Sequence, residues 1–257
     1  SGGVDSSYML HYAITKLGLN PLVFHVDGGW NSDVSTTNIQ RLTQILNVDL
    51  YTEVINWEEM RRFQLAFFKS GLPHIDLPQD HAFVATLYKY AAKNGIKCIL
   101  NGGNYSTEAV RNPINWGWYG TDMKHIKAIR NRFGAKKMPT YPFSSILGHK
   151  LWLKYIRRIN VFRLLDYIPY DKNEAIQTLK ELYNWVPYPQ KHFESRFTKY
   201  YEGYWLPYRF GFDTRRTQYS SLILTKQMTR EEALDACAPK AGGTLIRDWT
   251  LVSFLKY

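Results

Sequence analysis

The chain has 257 residues, 45% of them hydrophobic, and a formal net charge of +11. That suits one large domain, or a core with a smaller lobe, and excludes a disordered or low-complexity chain. No apolar run is long enough to cross a bilayer, so no membrane insertion is expected, and the positive balance favours anionic partners: nucleotides, nucleotide-sugars, nucleic acid or an acidic membrane surface.

Ser1-Gly2-Gly3-Val4-Asp5-Ser6-Ser7 leads directly into a predicted amphipathic helix. Leu10, Ala13, Ile14 and Leu17 recur at helical spacing, and Gly18 sits where a C-cap glycine belongs. Two glycines let the backbone turn sharply and bring its N–H groups close to a ligand. Ser1, Ser6 and Ser7 add hydroxyls, and the helix start adds unpaired N–H groups and a positive dipole end. The sum is an oxyanion cradle suited to phosphate. Asp5 would repel phosphate unless a cation lies between them, which implies Mg²⁺. No lysine follows the glycines, so this is not the common G-x-x-x-x-G-K-[ST] loop. A turn that merely caps a helix is the plain alternative.

Pro21 to Val26 reads as a buried strand ending at Asp27-Gly28-Gly29, followed by a helix with Ile39, Leu42 and Leu46 on one face. Leu50 to Ile55 is a second strand. Asn56, with Glu59 three residues on, opens a helix carrying Met60, Phe63 and Phe67. Pro73 to Pro78 is a loop, Asp80 caps a helix reaching Asn94, and Gly95 stops it. Ile96 to Leu100 is a buried strand, with Cys98 as a small core residue, and Asn101-Gly102-Gly103-Asn104 leaves its end. Strand–helix alternation predicts an α/β fold with a doubly wound parallel sheet. Ligands in such sheets bind beyond the strand C-termini, where the exits at Ser1–Ser7, Asp27–Gly29 and Asn101–Asn104 all fall.

Lys124, Lys127 and Arg130 recur every three residues and read as a solvated basic helix or an anion site. From about Pro139 aromatics crowd in, with predicted helices at Asn173–Tyr183 and after the Thr229/Glu232 capping box. Residues 1–138 are therefore expected to form a nucleotide-binding α/β domain and residues 139–257 a mainly helical lobe packed over the strand ends. Cys98 and Cys237 show no pairing pattern, which points to a reducing, cytoplasmic setting.

Three further segments carry chemistry. Glu108, after Asn101-Gly102-Gly103-Asn104-Tyr105-Ser106-Thr107, is either an acid complementing a helix start or a second hard-oxygen metal ligand. In Tyr188 to Thr198, Lys191, His192 and Arg196 can grip phosphate or a carboxylate, and on a helix His192 and Arg196 would share a face; a structural histidine is the alternative. Asp213 beside Arg215 and Arg216 is either an anion clamp or a surface ion-pair cluster.

S-G-G-V-D-S-S at Ser1 resembles the PP-loop of the N-type ATP pyrophosphatases, which have an adenine nucleotide alpha hydrolase-like fold. H-V-D-x-G-W-N at His25, N-G-G-N-x-x-T-E at Asn101, Y-x-x-K-H-x-E-S-R-F-T at Tyr188, F-G-x-D-x-R at Phe210 and the run from Ser220 resemble, within that superfamily, the N-acetyl sugar amidotransferases of bacterial surface-polysaccharide (LPS O-antigen) biosynthesis. The resemblance runs from Ser1 to about Ala236; the tail from Pro239 does not look like the family's usual end. A strand normally precedes the loop, so the chain reads as a piece whose loop lacks its anchoring strand.

The resemblance implies that ATP and Mg²⁺ convert an acetamido group of a nucleotide-linked sugar into an acetamidino group, releasing AMP and pyrophosphate. It implies ATP contacts from Ser1, Gly2, Gly3, Asp5, Ser6, Ser7, His25, Val26, Asp27, Asn101, Gly102, Gly103 and Thr107, and metal ligation by Asp5 and Glu108. It further implies catalytic roles for Asp5, Lys191, His192 and Arg196, and substrate contacts from Glu194, Ser195, Arg209, Asp213, Arg215 and Arg216. Ammonia would come from a separate glutaminase similar to the imidazole-glycerol-phosphate synthase subunits, since neither cysteine has a nucleophile context. No nucleic-acid partner is expected, and a homodimer is left open. A tRNA-modifying PP-loop enzyme and an inactive nucleotide-binding scaffold are the rival readings.

Overall fold

The opening helical spacing forms α1 (Val4–Thr15) in the computed structural model, which describes residues 2–117, 119–135 and 137–238. Leu10 and Ala13 are buried, whereas Leu17 is exposed beyond the helix end. Gly18, at φ +63°, terminates the helix as the left-handed residue, and Leu19 N–H bonds back to the Ala13 carbonyl at 3.0 Å. Next come β1 (Val23–Asp27), α2 (Asp33–Ile45), β2 (Leu50–Val54) and α3 (Trp57–Ser70). Asn56 caps α3 by accepting the Glu59 N–H at 3.1 Å. The Glu59 side chain turns away from the cap to accept the Thr140 N–H.

The next helix, α4 (Leu77–Lys93), starts earlier than expected. Pro78 lies in its first turn, where a missing N–H costs nothing, so Asp80 is a first-turn acid rather than the cap. Then follow β3 (Cys98–Asn101), the one-turn α5 (Tyr105–Glu108) and α6 (Met123–Arg132). α6 buries Ile126 and Ile129 and leaves Lys124 and Lys127 exposed, which fits a solvated basic helix, while the Arg130 guanidinium sits over the Phe143 ring at 5.4 Å.

β4 (Asn160–Arg163), drawn from the segment assigned to the second lobe, pairs in parallel with β3. β1 pairs in parallel with β2. Among the described residues these are two separate two-stranded sheets, not the single doubly wound sheet expected from the alternation. β1 and β3 do not pair; a largely apolar cavity of about 480 Å³, lined by Val23, His25, Cys98 and Leu100 among others, lies between them. Cys98 is consequently exposed, not a core residue.

The remainder is helical: α7 (Lys172–Tyr183), α8 (Arg196–Tyr200), α9 (Leu206–Phe210), α10 (Arg215–Leu224) and α11 (Arg230–Cys237). The Thr229/Glu232 capping box of α11 forms in both directions. The largest core joins Met60, Phe63 and Phe67 of α3 to Ile126 and Ile129 of α6 and to Phe197, Trp205 and Leu206. A second joins Leu10 of α1, Leu42 of α2 and Leu179 and Tyr183 of α7. Packing of α7 on α1 brings residues more than 160 positions apart to the opening loop.

Candidate functional site

The start of α1 is shaped by two glycine effects. Gly2 holds φ +73°, a conformation that L side chains rarely adopt, and its carbonyl accepts from Trp185 Nε1 and Tyr188 OH, both at 3.2 Å. Gly102, leaving β3, lies so close to α1 that a Cβ there would stand 2.7 Å from the Ser6 backbone nitrogen. The β3 exit is thus pressed against the first turn of α1, and α5 hangs directly from it. Buried Asn104 caps α5, accepting the Thr107 N–H at 2.9 Å and donating to the Gly102 carbonyl at 3.2 Å.

These elements enclose a cavity of about 340 Å³, within the size range of small-ligand sites. Gly3, Asp5, Ser6, Asn101, Gly102, Gly103, Thr107, Glu108, Lys191, His192 and Glu194 line it. Asp5 is the meeting point. Its Oδ1 accepts from Tyr170 OH at 2.5 Å and its Oδ2 from Thr107 Oγ1 at 3.3 Å. Lys191 Nζ lies 3.5 Å from Asp5 Oδ2 and 2.8 Å from Glu108 Oε1. Burial first, and then the Asp5 carboxylate, push the Tyr170 hydroxyl far above the usual phenol range, so it stays a donor.

His192 also faces the cavity, but not from a helix. It holds φ +68° in the turn before α8, so it does not share a helical face with Arg196. Its Nδ1 contacts Glu202 Oε1 at 2.8 Å. Burial alone would lower the imidazole pKa; the Glu202 carboxylate outweighs it and raises the value to about 9. His192 is therefore a cation at neutral pH, suited to binding an anion rather than to accepting a proton.

The other expected residues lie elsewhere. Ser7 is buried behind the loop. His25 lines the cavity between the sheets, held below the usual imidazole range by burial. Asp27 accepts from Gly29 N–H at 2.7 Å and Asn31 Nδ2 at 3.0 Å, and Val26 packs against the largest core. Ser195 caps α8. Arg196 pairs with exposed Asp33 at 3.0 Å, and its N–H bonds the Trp30 carbonyl, tying α8 to the β1 exit. Arg209 stacks on Trp205. Arg215 forms a bidentate pair with Asp213 and reaches the Ala236 and Cys237 carbonyls at the end of α11. Arg216 does not line the cavity. Ser1 lies outside the described residues.

Sequence reasoning missed Lys172, which lines the cavity, and the groups that hold its residues in place: Tyr170 on Asp5 and Glu202 on His192. Lys172 lines the cavity, and burial lowers its pKa against the pull of Asp5. One signal was available, since a lysine at the first position of a helix opposes the macrodipole and asks for a nearby anion.

The Asp5 and Glu108 carboxylates converge on one point, as their shared contact with Lys191 Nζ shows. They are hard oxygen donors, yet among the described residues no group of three or more acidic, histidine or cysteine side chains could hold a metal. Two carboxylates without a third partner fit Mg²⁺ that arrives with phosphate and water ligands, and do not form a free-standing metal cage.

Residues 194–253 match the model of a protein family described as LPS biosynthesis protein WbpG-like, C-terminal domain. The match supports a place in lipopolysaccharide biosynthesis. It begins at Glu194 on the cavity wall and extends through residue 253, so the tail that the sequence set apart from the family lies largely inside the match. Residues 239–257 fall outside the described residues. No curated protein matches the chain. Among the described residues no helix is long and apolar enough to cross a membrane.

Proposed function

We propose that the chain is an ATP-dependent amidotransferase that converts an acetamido group of a nucleotide-linked sugar into an acetamidino group. The observation that carries this reading is the convergence of three segments on one cavity. The glycine loop with the start of α1, the β3 exit bearing Thr107 and Glu108, and the Lys191–Glu194 segment adjoining the LPS-biosynthesis match all meet at Asp5.

The chemistry needs such a place. An amide oxygen is a poor leaving group, so ammonia cannot displace it directly. Attack of that oxygen on the α-phosphorus of ATP expels pyrophosphate and makes the oxygen part of a leaving AMP. Ammonia then adds at the imidate carbon, AMP departs, and the amidinium keeps the extra proton. Mg²⁺, held by Asp5 and Glu108, would neutralise charge on the phosphates. The chain's residues supply the rest. The start of α1, Lys172 and protonated His192 line the cavity and would stabilise the leaving pyrophosphate from positions set by the fold, and Lys191 would add a further cation once the nucleotide is bound. Trp185, Tyr188 and Leu222 line one side of the cavity and would limit the access of water, which would otherwise hydrolyse the activated amide. Ammonia is expected from a separate glutaminase.

The test is pyrophosphate release with ATP, Mg²⁺, ammonium and a panel of UDP- and CMP-linked acetamido sugars. Release that depends on one sugar supports the proposal. ATP binding without release for any sugar refutes it in favour of a scaffold, and release that depends on tRNA refutes it in favour of an RNA-modifying enzyme.

A further inference from the structure

The two carboxylates that a divalent ion would use are held by a cation belonging to the chain. Lys191 Nζ bonds Glu108 Oε1 at 2.8 Å, lies 3.5 Å from Asp5 Oδ2 and donates to Thr107 Oγ1 at 3.1 Å. Its side chain is only 10% exposed and that of Asp5 14%, so their contact is poorly screened by water, whereas Glu108, at 42%, reaches solvent. The neighbouring residue is fixed as well, His192 being tied to Glu202 at 2.8 Å. Two carboxylates and one ammonium leave a single net negative charge at the point where they meet, and Lys172 lines the same cavity.

A lone divalent ion entering there would stand beside an ammonium within a few ångströms. A like charge at that range costs a bound cation about one to three powers of ten. A metal carried by polyphosphate brings its own negative charge and offers the ammonium another anion to bond. We propose that Lys191 is a built-in counter-ion that bars the Asp5–Glu108 pair to a free divalent ion and yields it to a metal arriving with polyphosphate. This rests on the nucleotide reading of the cavity and adds an order to it: metal and nucleotide enter together.

Mn²⁺ binding to the full chain, followed by the electron paramagnetic resonance of the free ion with and without α,β-methylene-ATP, tests the idea. Measured against a protein-free mixture of Mn²⁺ and nucleotide, which corrects for chelation by the nucleotide itself, the wild-type chain is expected to bind Mn²⁺ well only with the nucleotide. Lys191→Met is expected to bind Mn²⁺ alone at least about tenfold tighter than wild type. Lys191→Arg, which keeps the charge, is expected to show no such gain, and adding Asp5→Asn to Lys191→Met is expected to remove it. The same comparison on Lys191→Gln keeps the test open if the methionine variant does not fold. Unchanged Mn²⁺ affinity in the neutral variants, alongside nucleotide-dependent binding in wild type, overturns the counter-ion role and leaves the nucleotide site standing. No Mn²⁺ binding even with nucleotide in any variant overturns the nucleotide reading and this proposal with it.

Discussion

Gly102→Ala is the sharpest probe of how the cavity is built. A Cβ at that position would lie 2.7 Å from Ser6 N, 2.8 Å from Ser6 Cα and 3.0 Å from Asp5 C, where ordinary contact begins at 3.4 Å. All three neighbours are backbone atoms of α1, so no rotamer change relieves the overlap. The β3 exit must withdraw from α1 by up to about 0.7 Å, an overpacking strain of roughly 1–3 kcal/mol. In a chain of this size a loss of about 2 kcal/mol lowers the melting temperature by roughly 4–8 °C. The same withdrawal carries Thr107 and Glu108 away from Asp5, so affinity for a fluorescent ATP analogue is expected to fall at least about tenfold. Gly120→Ala is the control: a Cβ there meets nothing within 4 Å, and its stability change should stay within about 0.5 kcal/mol. A Gly102→Ala protein that melts with wild type and binds the analogue with wild-type affinity would refute the close-packing argument.

Other outcomes follow from the same geometry. Because His192 is raised from the ordinary 6.5 to about 9 by Glu202, its contribution to stability is complete below about pH 6.5 and is lost as pH rises through about 9. Urea unfolding between those pH values should show stability declining, and Glu202→Gln should flatten that slope; an equal slope in the variant would reject the pairing. Asp5→Ala should abolish pyrophosphate release while circular dichroism still shows a folded protein, and normal turnover would reject the metal assignment. Arg215→Ala removes the Asp213 pair and the bonds to the end of α11, so it should cost about 1–2 kcal/mol of stability and leave nucleotide affinity unchanged; a selective loss of sugar-dependent turnover at full stability would restore it to the substrate site.

The helices were legible where their signals are local. Gly18, Asn56 and the Thr229/Glu232 box each act within a few residues; Gly18 and the box do in the folded chain what their spacing indicates, and Asn56 caps α3 without the reciprocal bond from Glu59. Pro78 misled because proline marks a loop and a first helical turn equally well. The sheet was misjudged because alternation specifies which segments are strands but not which edges meet, and β1 and β3 face a cavity instead of each other. In the site, the glycine loop and the Asn101–Glu108 exit carry chemistry in adjacent residues and were visible together. The arginines were not separable by type: Arg196, Arg209 and Arg215 have the right chemistry for an anion, yet each is already engaged by Asp33, Trp205 or Asp213.

What the linear chain determined is the opening of α1, since a glycine pair and the helix-forming run that follows it are joined by covalent geometry. What folding alone decided is the company Asp5 keeps. Tyr170 is 165 positions away, and no spacing rule reaches across that distance. Apolar packing of α7 against α1 puts the Tyr170 hydroxyl on one carboxylate oxygen. The turn ahead of α8 then brings the Lys191 ammonium to the other.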